Sequence, residues 1–405
     1  MPIIPIEACP HESGSPTIRG DVMKSTRTRR RQSFAIGLAV AGLGISHAAG
    51  IDWVSGTGSG NPVSAQSPHS ISSVRSANSQ IFQLPPVDSD VRQVVVTAMV
   101  ADPRGEILAV AGDDHIIRIL NSQTMQIIQV LGDGGSRTER KTGHFDWIRT
   151  LTFDATGSRL CSAGNDGQLL LWDRRRDFAL MQKIDSAPAL ACVDFSPSGK
   201  QIAAVGFDSQ VFLIGSASSQ MPKLKCDCID LRCCRYREDG LMLAVGGRSG
   251  AIHFFDPTTG ELQHEEQIHE SRIRDFTFLP DSNVLVSVAE DGTVVRYDSQ
   301  RRQILAKRKI TSGRLFTVAA INSNMFVTAG SDDAIHLVAL DDDDFGLNVV
   351  SVFPGHVGSV ATLAVVNETL VSGGFDATIR RWSLPDFSSG PNKIALKKSS
   401  GSEVD

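Results

Sequence analysis

His144, Ser162 and Asp166 supply the three side-chain types of a hydrolase triad, and His356, Ser372 and Asp376 supply them a second time. A catalytic set is needed once, whereas a device that stabilises each of several like units recurs, so the repetition argues for a structural role. His264-Glu265-Glu266-Gln267-Ile268-His269 approaches a zinc-protease motif, but its second histidine falls five residues after the first instead of four. The segment also reads as strand and turn, so the two imidazoles do not share a helix face. Cys226, Cys228, Cys233 and Cys234 form the densest thiol group. Strand alternation puts Cys226 and Cys228 on one face and sends Cys233 and Cys234 to opposite faces, which favours core packing over a disulfide and places zinc last. The acidic run Asp341 to Asp344 lacks calcium-loop spacing and reads as a solvated loop. Gly199-Lys200 lacks the earlier glycine of a phosphate loop, and Gly132, Gly134 and Gly135 miss the dinucleotide spacing. These residues predict no catalytic centre, no cofactor and no metal.

The elements that carry them recur at a fixed period. Leu151-Thr152-Phe153-Asp154-Ala155-Thr156-Gly157 is followed by Leu160 to Gly167 and then by Leu169-Leu170-Leu171-Trp172-Asp173. This is an alternating strand, a glycine turn, a strand ending in small residues, a second turn and an apolar strand. With Asp166 as the marker, the copies fall at Asp114, Asp166, Asp208, Ser249, Asp291, Asp332 and Asp376, spaced 52, 42, 41, 42, 41 and 44 residues apart. Period-two strands of this length make each copy a small antiparallel sheet. One such sheet cannot bury both faces, whereas seven arranged radially cover one another. The predicted fold is all-β, a seven-bladed β-propeller of four-stranded antiparallel blades over residues 80–398.

The repeat resembles that of the WD40 family. Gly143-His144 and Gly355-His356 are its glycine-histidine pairs, and Trp172 and Trp382 end the third strand. The resemblance implies buried hydrogen-bonded sets of His144, Ser162, Asp166 and Trp172, and of His356, Ser372, Asp376 and Trp382. A looser set would be His269, Ser287, Asp291 and Tyr297. The other copies depart from the pattern, with Leu120, Ile214, Phe255 and Val338 at the aromatic position and Ser249 in place of the acid. In the family an amino-terminal strand commonly closes the ring, which favours residues 80–84 over Lys393 to Leu396 for that task.

The chain has 405 residues and a net charge of −5. Residues 1–80 hold seven Lys/Arg against four Asp/Glu, leaving 33 against 41 for the remainder. An acidic body is a poor partner for nucleic acid. Arg27 to Arg31, then the apolar run Phe34 to Ile45 and Ser46-His47-Ala48, follow the order of an export signal and resemble a twin-arginine leader. Residues 1–49 are therefore expected to target the chain for export, the periplasm being the favoured destination. A membrane tether or a cytoplasmic basic tail is the alternative, and membrane contact is expected only through this segment. Residues 50–79 have the Ser/Gly composition of a disordered linker, and residues 399–405 read as a disordered tail.

In a blade of strands a to d, the a-b and c-d turns lie on one face and the b-c and d-a connections on the other. Arg174, Arg175, Arg176, Arg301 and Arg302 fall in c-d turns, as does the aspartate run. The one insertion, Gly132 to Thr142 with Arg137, Arg140 and Lys141, falls in a d-a connection. These cations are the candidate partner-binding residues. The predicted function is a non-catalytic scaffold that binds a protein or peptide, with no small-molecule substrate. The rival is an exported propeller enzyme of the lactonase or quinone-dependent dehydrogenase type, with polar ligands in the central channel. Leu151, Val193, Cys234 and Phe276 on the innermost strands predict an apolar channel and so favour the scaffold.

Overall fold

The computed structural model describes residues 79–85, 93–132, 142–185, 188–215, 223–226, 228–340 and 346–384. The export-signal segment, most of the linker, the insertion cations Arg137, Arg140 and Lys141, the aspartate run and the carboxyl-terminal tail lie outside them. The described residues form seven four-stranded antiparallel sheets, with no α-helix and one short 3-10 turn at Arg174–Arg176. Blades 1 to 6 occupy 96–131, 148–185, 190–225, 231–267, 273–309 and 315–354. Blade 7 combines 360–383 with Ser79–Phe82, which pairs along Ile379–Trp382. The amino-terminal strand thus closes the ring. Its neighbour Leu84 is buried with Val94 and Val366, which fixes the closure by burial as well as by pairing.

The sequence pattern explains the layering. Second and third strands are apolar at nearly every position because sheets cover both their faces, as in Ile107–Gly112 and Gln168–Asp173. Fourth strands alternate exposed and half-buried residues because only one side is covered, as in Ala179–Asp185. Six apolar clusters bridge successive blades, with Leu151 and Leu160 meeting Ile117 across blades 2 and 1, and Val371 meeting Val110 across blades 7 and 1. The ring is closed by the same type of contact throughout.

Every innermost strand carries a register shift between its first and third residues. Beside it, the residue opening each b-c turn donates its amide to the carbonyl just before strand a, as Asn165 does to Trp147 at 2.9 Å and Ser331 to Arg314 at 2.8 Å. That approach favours a very small residue at the end of strand b, which is glycine in six blades and Ala289 in blade 5. A Cβ on Gly164 would stand 2.2 Å from the Trp147 carbonyl, and one on Gly330 would stand 1.7 Å from that of Arg314. The small residues closing the second strand of the repeat therefore make room for a β-bulge, which re-aims one side chain per blade.

Candidate functional site

Two of the predicted hydrogen-bonded sets are complete. In blade 2 the Trp172 indole N-H donates to Ser162 Oγ at 3.0 Å, Ser162 Oγ lies 2.8 Å from His144 Nε2, and His144 Nδ1 lies 2.9 Å from Asp166 Oδ2. The carboxylate can only accept, so Nδ1 carries the proton and the hydroxyl donates to Nε2. Asp166 also accepts the amides of Phe145 and Gln168 at 3.1 and 3.0 Å. Burial alone would raise its carboxyl, but His144 and these amides hold it below the usual carboxylate range. Blade 7 repeats the geometry, with Trp382 to Ser372 at 2.8 Å, Ser372 to His356 at 2.7 Å and His356 to Asp376 at 2.9 Å. None of these eight side chains lines the channel.

The third set does not assemble. His269 Nε2 meets Ser287 Oγ at 2.7 Å, but its Nδ1 has no partner and Asp291 forms its turn without it. Tyr297 carries its hydroxyl past Ser287 to the neighbouring blade, where it lies 3.4 Å from His264 Nε2. A phenol ends in a para hydroxyl and cannot replace the lateral N-H of an indole. Burial therefore dominates at His269 and lowers its pKa to about 4. His264 stacks on Phe254 at 4.3 Å between ring centroids, so neither histidine of the near-motif is placed as a ligand.

The central channel encloses about 710 Å³ and is not apolar. Leu151 and Val193 are buried at its wall, while Cys234 and Phe276 turn into the layers between blades. The side chains projecting into it include the seven bulge residues Thr97, Arg149, Ala191, Arg232, Arg274, Phe316 and Ala361. Plain alternation from Leu151 would have put Arg149 on the core face; the bulge reverses the phase. Three guanidinium groups lie over aromatic rings, Arg149 over Trp147 at 5.0 Å, Arg232 over Phe207 at 4.1 Å and Arg274 over Phe316 at 5.1 Å. Asp230 binds Arg232 at 2.6 Å and Arg272 at 2.9 Å, and Glu290 is shared by Arg272 and Arg274 at 3.3 Å each. Among the described residues Arg149 bonds the neutral Asn165 side chain, at 2.9 Å, and feels the charge of Asp146. Burial is the main cause that lowers the pKa of Arg232, to about 10, with the neighbouring arginines adding to it against Asp230. Arg149 and Arg274 are lowered in the same way.

Deeper in the channel the charges are matched. Arg235 lies 3.3 Å from Asp275 and donates to Cys192 Sγ at 2.8 Å. Cys233 also contacts Asp275. Bonds from Cys233 and Cys234, together with Arg235, hold the Cys192 thiol below its usual range, while burial raises Asp194 to about 7. The six described cysteines are all buried. Cys233 and Cys234 belong with Cys192 of the neighbouring blade, a pairing that only the radial stacking creates.

The c-d turns differ from expectation at Arg174. It binds Asp102 at 2.8 Å and Glu106 at 2.6 Å, tying blade 2 to blade 1, with the Asp102 side chain fully buried. It is thus committed within the ring and not offered to a partner. Arg176 and Arg301 remain exposed on the same face.

Residues 136–173, 260–298 and 347–383 match the WD domain, G-beta repeat model. Each match runs into the first three strands of a blade, and the second and third begin before the preceding blade's fourth strand ends, so the sequence repeat is offset from the structural blade. The chain is similar to human echinoderm microtubule-associated protein-like 3, at 29% identity over 38% of this chain and 18% of that protein. It is also similar to Drosophila melanogaster WD repeat-containing protein 82, at 30% over 33% of this chain and 41% of that protein. Bos taurus transducin beta-like protein 3 matches at 23% over 72% of this chain and 38% of that protein. The chain spans between about a fifth and about half of the length of the first curated relatives it matches. It carries WD40 repeats folded as a seven-bladed propeller.

Proposed function

We propose that this WD40-repeat propeller is a non-catalytic binding platform, and that a protein or peptide docks over the channel mouth on the face formed by the b-c turns and d-a connections. One observation carries the reading. Exposed apolar side chains, Phe207 at 41%, Phe375 at 46%, Ile229 at 60% and Val357 at 80%, alternate there with the channel arginines. Aromatic and arginine side chains held rigid and half desolvated are the composition of protein interface centres. The hydrolase-like sets support the same reading, because they are consumed within blades 2 and 7 and do not reach the cavity. The test is a capture comparison from the native cell. Phe207→Ala with Phe375→Ala is expected to release partners that Leu241→Ala, on the opposite face, retains. Equal recovery with both variants would refute this face as the docking surface.

A further inference from the structure

From the bulge geometry we infer that the channel mouth is a receptor for carboxylate side chains, and that the docking partner presents an acidic peptide segment to it. This rests on the platform reading and specifies the chemistry of its partner. Three rings of backbone define the mouth: the bulge residues, the residues just before each first strand, and the openers of the b-c turns. Arg149, Arg232 and Arg274 come from the first ring, Arg272 and Arg314 from the second and Arg248 from the third. Against these six cations the rings hold three carboxylates, Asp113, Asp230 and Glu290. The excess is local, since the whole chain carries −5.

The existing acids do not saturate the arginines. Asp230 and Glu290 are each divided between two guanidinium groups, Arg149 has only the longer-range charge of Asp146, and Arg314 has no carboxylate within ion-pair distance among the described residues. Among the described residues the buried Nε atoms of Arg232 and Arg272 have no hydrogen-bond partner. Cation-π contact with Trp147, Phe207 and Phe316 restrains three guanidinium groups before any ligand arrives. A restrained guanidinium edge matches the planar, two-oxygen face of a carboxylate. Below the mouth, Arg235 is already neutralised by Asp275, so the attraction ends at the mouth. The site is recessed in a cavity of about 710 Å³, which admits side chains but not the convex backbone of a duplex. The exposed Phe207 and Phe375 beside it require a ligand with apolar surface, which favours a peptide over a bare inorganic anion.

The experiment follows fluorescence anisotropy of a labelled hexaglutamate peptide titrated with the full chain at low ionic strength, with a hexaglutamine peptide as control. Hexaglutamate is expected to bind and hexaglutamine not, with affinity falling as salt is added. Joint Arg149→Gln, Arg232→Gln and Arg274→Gln substitution is expected to weaken binding about 100-fold, and the three Arg→Lys changes only in part. Arg301→Gln with Arg302→Gln, on the opposite face, should leave it unchanged. Near-ultraviolet circular dichroism reports folding of the triple variant. If that variant does not fold, Arg149→Gln alone carries the test, with a loss of roughly fivefold expected. The inference is overturned by absence of hexaglutamate binding, by equal binding of both peptides, by full affinity in the arginine variants, or by saturation with inorganic phosphate that hexaglutamate cannot displace. Partner capture that depends on Phe207 and Phe375 but not on the arginines would sink this inference and leave the platform reading standing.

Discussion

Replacing Asp166 by alanine should destabilise the protein by about 3 kcal/mol, and replacing Asp291 at the equivalent turn by only about 1 kcal/mol. The difference comes from what each carboxylate holds. Asp166 is fully buried and accepts three donors, the His144 ring N-H and the amides of Phe145 and Gln168. Its removal strands an imidazole that in turn orients Ser162 and Trp172, and each buried donor left unpaired costs about 1 to 3 kcal/mol, with partial relaxation lowering the sum. Asp291 accepts the Thr293 amide at 2.9 Å and is hydrogen-bonded by the Thr293 and Ser271 hydroxyls at the surface turn, but makes no bond to His269, so its loss strands no buried imidazole. Equilibrium denaturation in guanidinium chloride, followed by tryptophan fluorescence, measures both variants against the parent. The pH dependence gives a second handle. The Asp166 carboxyl titrates below its unfolded value near 3.9, so its contribution is complete above that pH and is lost as the pH falls through the folded value. The gap between parent and Asp166→Ala should therefore be constant from pH 7 to 5 and shrink below about pH 4. Equal destabilisation by the two alanine substitutions, or a gap indifferent to acid, would refute the assignment of energy to the completed set.

Two further expectations test the packing of the ring. Arg174→Ala should cost about 1 to 2 kcal/mol because it leaves the buried Asp102 carboxylate without its cation, whereas Arg176→Ala, 80% exposed and 3.7 Å from Asp173, should change nothing measurable in the same denaturation assay. His269 has a folded pKa lowered to about 4 against an unfolded value near 6.5, so its share of stability is complete above pH 6.5 and is lost as the pH falls towards 4. His269→Gln should flatten the decline in stability between pH 7 and 5 by on the order of 1 kcal/mol, and an unchanged slope would contradict burial as the cause.

Blade number, strand count and the two complete hydrogen-bonded sets were legible because each is written locally and repeated. The turn aspartate, the glycine-histidine pair and the tryptophan recur at nearly fixed spacing, and fixed spacing in a repeat means fixed relative position. The third set misled because residue type was visible and reach was not: Tyr297 occupies the tryptophan position in the sequence, but its hydroxyl ends beside His264 of the preceding blade. Arg174 misled for a related reason, since a run of three arginines does not show that the first faces a buried aspartate 72 residues earlier.

The channel marks the limit most plainly. Alternation read along the strand assigns Arg149 to the side of Leu151, and a one-residue bulge moves it to the opposite side. The bulge sits where a glycine, or Ala289 in blade 5, on the neighbouring strand lets a carbonyl close in, a contact between segments more than a dozen residues apart. By itself the sequence determined the repeat, the closed ring and the buried polar sets, because apolar periodicity and turn residues act over short distances. Only the tertiary structure decided which seven side chains meet at the axis and what charge they bring there, because that convergence depends on a register shift in each blade and on stacking blades that are distant in the chain.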